Sequence, residues 1–146
     1  MQILDPKTVL IHASCVSING NGVLICGPSG SGKSSLALNL IALGAELVAD
    51  DQTLVRHEGR DLIASCPDRI SGLIEARGVG FLTPPTRSDT RLSLVVDLET
   101  PQTQRLPKSE SYELFGITLP LFRRAPLDAF PAALYILARD GARQDL

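Results

Sequence analysis

Residues Gly27 to Ser34 combine the residue types and the spacing of a phosphate-binding loop. They read Gly-Pro-Ser-Gly-Ser-Gly-Lys-Ser and fit the pattern G-x-x-x-x-G-K-[ST] at every fixed position. In this pattern backbone N–H groups surround phosphate oxygens, the lysine reaches the β- and γ-phosphates, and the final hydroxyl binds Mg²⁺. An apolar run precedes the motif and a helix-like run follows it; a Gly/Ser-rich turn without function is the alternative. The residues expected around the phosphates are Gly27, Pro28, Ser29, Gly30, Ser31, Gly32, Lys33, Ser34 and Ser35.

Aspartates after two apolar runs are the candidates for metal binding and proton transfer. Phosphoryl transfer needs a metal and a group that orients or deprotonates the acceptor. The runs Leu47-Val-Ala-Asp-Asp51 and Leu94-Val-Val-Asp97 both end in aspartate. We favour the first, because the strand after a phosphate-loop helix normally lies beside the loop strand. Its paired carboxylates also allow one acid to act near Mg²⁺ and the other on the acceptor hydroxyl. The alternative is that one aspartate of the pair caps a turn and the other is solvated.

Several other charged residues stay undecided on spacing alone. His12 lies within an apolar run, where a single histidine is more often a core residue than a site residue. Glu75 and Arg77 flank Ala76 and would point the same way in a strand, where a surface ion pair is the simplest interpretation. Three arginines in or beside polar segments can bind phosphate or remain solvated: Arg105, Arg123 and Arg124.

The composition predicts one globular domain over residues 1–146. Hydrophobic residues make up 44% and charged residues 21%, and the formal net charge is −2. Because like charges form no block of five, we expect neither a nucleic acid nor an anionic membrane as a partner. Cys15, Cys26 and Cys66 lack C-x-x-C spacing and are expected to be reduced thiols. With no signal-peptide pattern and no apolar stretch of membrane-spanning length, we expect a cytoplasmic protein.

The elements that position the candidate residues follow a mixed α/β pattern. Asn19-Gly-Asn-Gly22 is a strong hairpin-turn signal and leads into a strand from Val23 to Cys26, so the phosphate loop is entered from an antiparallel hairpin. Apolar residues between Lys33 and Leu43 form one helical stripe. The other expected elements are two short strands or one bent strand in Thr8–Ile18, strands at Glu46–Asp51, Arg91–Leu98 and Ser111–Leu119, a hairpin from Thr53–His57 and Asp61–Ser65, a turn through Pro120–Pro126, and a helix over Ala129–Arg139.

Taken together, these segments resemble the catalytic domain of HPr kinase/phosphorylase, the bifunctional bacterial enzyme of the phosphotransferase system. The resemblance runs from about Thr8 to the C-terminal helix. Its most distinctive motif is an acid, an apolar residue, Arg-Gly, an apolar residue and Gly. Four pieces carry it: His12 before an apolar run, a turn and a strand; the phosphate loop with its helix and Asp50-Asp51; Leu73–Leu82; and Leu94–Glu99 followed by Arg105-Leu106.

The resemblance implies a fold, a reaction and a set of roles. The fold would be a P-loop-containing mixed β-sheet of the HPr kinase and phosphoenolpyruvate carboxykinase type, and family members form hexamers. The family uses ATP to phosphorylate a serine of the small protein HPr, and phosphate attack on phosphoserine, giving pyrophosphate, is the reverse reaction. The implied catalytic residues are His12, Lys33, Asp51 as the base for the serine proton, and Arg105; the implied Mg²⁺ ligands are Ser34 and Glu75, with Asp50 of the acid pair.

The chain also departs from the family pattern. Pro28 and Ser35 stand where the family usually has acids. Leu121-Phe-Arg-Arg-Ala-Pro126 replaces a Gly-Arg-Asn-containing loop tied to dephosphorylation, so we expect kinase activity more than phosphorylase activity. The family's separate N-terminal domain is missing, which predicts a short form or a trimmed chain. Asp97 matches no catalytic position of the family.

Two other classes of function compete with this interpretation. A small-metabolite kinase or carboxykinase-like enzyme would need a lid and an enclosed pocket, for which 146 residues leave little room. A non-catalytic ATP-binding sensor would not need the intact Lys33, Ser34, Asp51 and Glu75. Tryptophan is absent, and the only tyrosines are Tyr112 and Tyr135. No aromatic stacking partner for a nucleotide base is therefore evident near the loop. Pyrophosphate is accordingly an alternative phosphoryl donor.

Overall fold

The computed structural model describes residues 1–68 and 71–140. This part of the chain forms a mixed α/β domain of twelve strands and two helices. The elements are β1 Gln2–Asp5, β2 Thr8–Ile11, β3 Ala13–Ile18, β4 Asn21–Cys26, α1 Lys33–Ala42, β5 Glu46–Ala49, β6 Thr53–Glu58, β7 Asp61–Ser65, β8 Ile74–Ala76, β9 Gly80–Leu82, β10 Asp89–Asp97, β11 Glu110–Leu114, β12 Ile117–Arg123 and α2 Phe130–Asp140.

Ten of the strands form one curled mixed sheet. Its order is β1-β2-β6-β7-β10-β4-β3-β5, with β12 beside β10 and β11 beside β12. Strand β10 is parallel to both β4 and β12, while the neighbouring pairs β3–β4 and β3–β5 are antiparallel. The short strands β8 and β9 form a separate two-stranded sheet. The predicted fold class, a mixed sheet with a phosphate-loop helix and a C-terminal helix, is confirmed.

The hairpin that leads into the phosphate loop is formed by β3 and β4. Their register runs from Ala13 opposite Cys26 to Ile18 opposite Asn21. At the turn, Asn19 and Gly20 have φ values of 52° and 82°. Positive φ at both central residues matches the right-handed twist of the flanking strands, which is why Asn-Gly is favoured there. The sequence prediction of an antiparallel entry to the loop is therefore confirmed.

Two chain segments bend at the same place in the sheet. Strand β2 continues into β3 through His12, and β5 continues into β6 through residues 50–52. Because β2 pairs with β6 while β3 pairs with β5, both segments change neighbours here. The Thr53 hydroxyl donates a 2.8 Å hydrogen bond to the Ala13 carbonyl and joins the two bends. Side chains at the bends can therefore face one another instead of following the sheet.

Alternating residues of β3 and β4 bury both faces of the sheet. Val16 and Ile25 pack against α1 and α2, whereas Cys15 and Leu24 pack on the opposite face. All four are fully buried. Burying a large aliphatic side chain contributes roughly 1.5–3 kcal/mol, so strand β4 is held firmly where it ends at the phosphate loop.

No helix in the described part of the chain is long and apolar enough to cross a membrane.

The strand after the phosphate-loop helix does not lie beside the loop strand, and that expectation is wrong. Strand β3 separates β5 from β4, and the neighbour on the other side of β4 is β10, which carries Asp97. The reason is the entry hairpin, which places its first strand in the position that β5 would otherwise take. Since β3 is antiparallel to both neighbours, β4 and β5 still run in the same direction. The C-terminal end of β5 therefore reaches the edge where the loop lies.

The segment before the C-terminal helix also differs from its prediction. The expected single strand at Ser111–Leu119 is a hairpin, β11 and β12, which turns at Phe115 and Gly116 with φ values of 53° and 74°. The expected turn at Pro120–Pro126 is wrong at its start, because strand β12 continues through Pro120. The pairing of β12 with β10 begins only at Leu121, so the β10–β12 ladder needs no N–H from the proline. The predicted C-terminal helix is confirmed as α2.

The raised pKa of the partly buried Cys26 thiol predicts how the free energy of unfolding depends on pH. Burial, followed by the nearby Asp97 carboxylate, raises the pKa of the Cys26 thiol to about 12, and Lys33 opposes the shift. An unfolded cysteine ionises near ~8.5, so the unfolded chain loses this proton first. The stabilisation is complete below that pH and decreases as the pH rises toward about 12.

We expect Cys26→Ala to remove part of the alkaline loss of stability, up to about 1.4 kcal/mol per pH unit for one proton. Urea unfolding at pH 7, 9 and 10 measures it. The more exposed Cys66, changed to alanine, is the control and should alter the slope less. Parallel pH profiles of wild type and Cys26→Ala would contradict this prediction.

Candidate functional site: the phosphate loop and its two aspartates

The phosphate loop joins the end of β4 to the start of α1, and its conformation depends on glycine. Gly27, Gly30 and Gly32 have φ values of 151°, 82° and 98°. These values are rarely adopted by residues with a side chain. A Cβ at Gly27 would also lie 2.5 Å from the Ser31 hydroxyl oxygen. The Ser31 N–H donates to the Pro28 carbonyl at 3.1 Å, which closes the loop.

Lys33 is held inside this loop. It is 7% exposed, and its ammonium donates hydrogen bonds to the Gly27 carbonyl at 2.8 Å and the Pro28 carbonyl at 3.1 Å. An ammonium has three N–H donors, so one remains for a phosphate oxygen. The Ser31 hydroxyl is a buried polar atom without a hydrogen-bond partner within the described residues. A loop with a buried cation and an unpaired hydroxyl suits an anionic ligand.

Asp50 connects the phosphate loop to the bend of the sheet. Its Oδ1 atom accepts hydrogen bonds from the Ser34 hydroxyl and from the Ser14 hydroxyl, both at 2.8 Å. The Ser14 oxygen accepts in turn from the Asp51 N–H at 3.3 Å. Because the Ser34 hydroxyl donates its hydrogen bond to the carboxylate, its oxygen lone pairs stay available, and a hydroxyl beside a carboxylate is a ligand pair suited to Mg²⁺.

Asp51 faces His12 across the bend. The His12 Nε2 and Asp51 Oδ1 atoms lie 2.6 Å apart, and the two side chains are 53% and 66% exposed. Asp51 has a φ of 68°, a conformation that costs of the order of 1–3 kcal/mol in a non-glycine residue and persists where the surroundings impose it. Its N–H bond to Ser14 is one such constraint. The result is a carboxylate that is oriented by a histidine and reachable from solvent.

The two neighbouring aspartates therefore have different surroundings. Asp50 is partly buried and contacts two hydroxyl groups, one of them in the phosphate loop. Asp51 is exposed and contacts an imidazole. This separation matches the expected division of labour, in which one acid lies near the metal and the other near the acceptor. The roles themselves stay predictions.

Two other predicted site residues are not joined to this cluster. Glu75 is exposed on β8, and within the described residues its side chain makes no hydrogen bond or ion pair. Residues 1–68 and 71–140 contain no group of three or more His, Cys, Asp or Glu arranged to hold a metal. Arg105 lies in the irregular segment between β10 and β11 and lines a groove between α2 and β12 that contains no phosphate-loop residue.

The arginine that contacts the phosphate loop is Arg124. Its guanidinium donates to the Ser31 carbonyl, and a Cβ at Gly32 would lie 2.8 Å from it. Arg123 instead binds the Glu110 carboxylate at 2.9 Å and lies 3.7 Å from Asp97. Sequence reasoning left these arginines open, and the resemblance favoured Arg105. The missing signal was topological: Arg124 directly follows β12, which ends at the same edge as β4 because both are parallel to β10.

Ser14 was also missed by the sequence analysis. It lies within the β-branched run of β3 and is fully buried. Only the pairing of β3 with β5 brings its hydroxyl to Asp50. A serine in a buried strand gives no functional signal by itself, because its partner is defined by the fold.

The fold and the site together define a phosphate-loop α/β domain in which a Ser–Asp pair and a His–Asp pair lie at one sheet edge. Comparison with known proteins identifies the family. The family model "HPr Serine kinase C-terminal domain" matches residues 4–123, and the chain belongs to this family. The resemblance expected from the motifs is thereby confirmed.

Individual relatives agree with this assignment. HPr kinase/phosphorylases of Bacillus velezensis and Geobacillus kaustophilus are each 45% identical over 100 residues, covering 63% of this chain and 32% of the relative. The solved structure of the Hpr(Ser) kinase/phosphatase from Coxiella burnetii superposes with a TM-score of 0.76 at 28% identity, covering 88% of this chain and 93% of that one. The matched region is about a third of the length of these curated relatives.

A pair of serine variants on β3 tests the link between the bend and the loop. Ser14→Ala removes the bridge to Asp50, while Ser17→Ala removes a buried 3.0 Å contact to the Thr90 hydroxyl that is not part of the site. Each should cost about 1 kcal/mol of unfolding free energy. Only Ser14→Ala should also weaken Mg·ATP binding, by roughly fivefold. Equal Mg·ATP affinities of the two variants, measured by calorimetry, would contradict the assignment.

Proposed function

We propose that this domain is a Mg²⁺- and ATP-dependent kinase that phosphorylates a serine of HPr or an HPr-like phosphocarrier. The observation that carries the proposal is the chain of contacts from Ser34 through Asp50 and Ser14 to Asp51 and His12. It sets a candidate metal site next to a candidate base. Membership of the family and the names of its relatives support the choice of HPr.

The donor set at the loop fits Mg²⁺. This ion usually keeps several waters and binds one or two carboxylates together with substrate phosphates. Ser34 and Asp50 would supply the protein ligands at the loop. Glu75, which the family resemblance adds to this set, is exposed on β8 and makes no ion pair in the described chain. When bound, the ion would neutralise part of the charge of the phosphates.

The remaining steps follow from groups of the chain itself. Backbone N–H groups of the loop and the Lys33 ammonium hold the β- and γ-phosphates. Asp51 accepts the proton of the substrate serine through the oxygen that His12 leaves unpaired, and His12 orients the carboxylate by its 2.6 Å contact. An arginine stabilises the transferring group; Arg105 is the residue that the family resemblance indicates for this role, and Arg124 is the one that contacts the loop.

A protein substrate suits the exposure of the site better than a small metabolite does. Asp51 is 66% exposed, whereas a small-metabolite kinase would enclose its base to exclude water. Val79, in the turn between β8 and β9, and Phe81, on β9, are exposed near the strand that carries Glu75, and they offer an apolar docking surface. A sensor without catalysis has no need of an oriented carboxylate. These two alternatives are outcomes of the assay below.

Three further points belong to the same proposal and rest on the family resemblance. They are assembly into a hexamer and phosphorolysis of phosphoseryl-HPr as a second activity, together with a cytoplasmic location, which was expected from the reduced thiols as well. The phosphorolytic reaction is the less favoured, because residues 121–123 lie in β12 where the resemblance indicates a Gly-Arg-Asn-containing loop.

The test combines the purified protein, Mg·ATP, and HPr with or without its acceptor serine. We expect one phosphoryl group per HPr on the serine, detected by mass spectrometry, and none on the alanine variant. Phosphorylation of a small molecule in place of HPr would support the metabolite kinase. ATP binding without transfer would support the sensor. Adding phosphate to phosphoseryl-HPr and measuring pyrophosphate tests the reverse reaction.

A further inference from the structure

A groove of 960 Å³ lies between α2 and β12, away from the phosphate loop. Helix α2 packs against α1, β3 and β4. Residues 95–97 of β10 pair with both β4 and β12, so these two strands lie on opposite sides of β10. The helix therefore leaves β12 partly uncovered, and the segment between β10 and β11 forms the other wall of the groove. No residue of the phosphate loop lines this groove.

The inside of the groove is mainly apolar. One wall is a helix face whose members recur at helical spacing: Phe130, Ala133, Leu134 and Leu137. Leu106 on the opposite wall is 84% exposed, so apolar surface is left open to solvent here. The volume lies within the ~300–1,000 Å³ usual for small-ligand sites, which combine apolar walls with a few polar groups. The groove therefore suits a ligand with a large apolar part.

The charged side chains of the groove indicate the polar part of that ligand. Four of the six are paired with one another: Arg123 with Glu110 at 2.9 Å, and Arg139 with Asp140 at 2.6 Å. The other two are Arg105 and Lys108, whose side chains make no hydrogen bond or ion pair with any described residue. Both lie on the wall between β10 and β11, three positions apart. The unpaired charge of the groove is therefore positive and lies on one wall.

We propose that this groove binds an amphipathic monoanion, an alkyl chain that ends in a carboxylate. The chain lies along the apolar face of α2, where burial removes its surface from water. From Phe130 to Leu137 this face spans about 10 Å, which gives room for a chain of medium length. The carboxylate lies at Arg105 and Lys108, because hydrogen bonds between ionised groups are the stronger ones. A cationic amphiphile would meet the same two cations and be repelled.

Two tryptophan variants on α2 test the place of binding, with decanoate below its micelle-forming concentration as the probe in calorimetry. Ala132 and Ala133 are both exposed, but only Ala133 lines the groove. Ala133→Trp fills the groove and should weaken decanoate binding roughly tenfold or more. Ala132→Trp is the matched control and should stay within about twofold of wild type. Thermal unfolding of both variants shows that they are folded.

The charge of the ligand is tested with Lys108→Glu. Lys108 is exposed and has no role in the proposed kinase, so it can be changed independently of the phosphate loop. Decanoate should bind this variant roughly fivefold more weakly than it binds wild type. Decyltrimethylammonium has the same chain and the opposite charge. It should bind wild type more weakly than decanoate does, and its affinity should rise in Lys108→Glu.

The outcomes that would overturn this inference are independent of the kinase reaction. They are the absence of decanoate binding by wild type, equal wild-type affinities for decanoate and decyltrimethylammonium, and equal losses in the two tryptophan variants. A wild-type oligomer that dissociates in Ala133→Trp but not in Ala132→Trp, followed by analytical ultracentrifugation, would show that a second copy of the chain occupies the groove instead. Selective decanoate binding by a protein that transfers nothing to HPr would support the site while the kinase proposal fails.

Discussion

The Asp50 carboxylate is the contact on which the rest of the site depends. One of its oxygens accepts hydrogen bonds from Ser34 in the phosphate loop and from Ser14 in the bend of the sheet. The β3–β4 ladder places the bend beside the loop, with Ala13 opposite Cys26, and the Asp50 carboxylate joins the two through their side chains. A hydrogen bond to a charged group contributes more than a neutral one, so the carboxylate is well suited to join two elements that must keep their geometry when a ligand binds.

The same contact explains why two adjacent aspartates can act differently. Asp50 is turned toward the loop, and the following residue, at a φ of 68°, is turned toward His12 and solvent. Opposite orientations of neighbouring side chains are usual in a strand, but here the backbone has left the strand and the strained residue fixes the direction of the second carboxylate. In the proposed kinase, metal binding and proton transfer would therefore use two different acids.

The sequence predicted the features that depend on local signals. The Asn19-Gly20 turn, the phosphate loop and the helix after it are encoded by adjacent residues, and the structure confirms them. Features that depend on distant neighbours were missed or misplaced. The position of β5 and the arrival of Arg124 at the loop both follow from how the strands are ordered, and no local pattern specifies that order. Of the candidate site, the loop and the acid pair could be predicted from the residues and His12 from the resemblance, whereas the contacts of Ser14 and Arg124 could not.

The most direct test of this account compares Asp50→Asn with Asp51→Asn in two measurements. One is the Mg²⁺ dependence of ATP binding, and the other is single-turnover transfer to the serine of HPr. The division of labour predicts that Asp50→Asn loses the Mg²⁺ dependence, while Asp51→Asn binds Mg·ATP within a few-fold of wild type and transfers nothing. Active transfer by Asp51→Asn, or the same loss in both measurements for both variants, would contradict it.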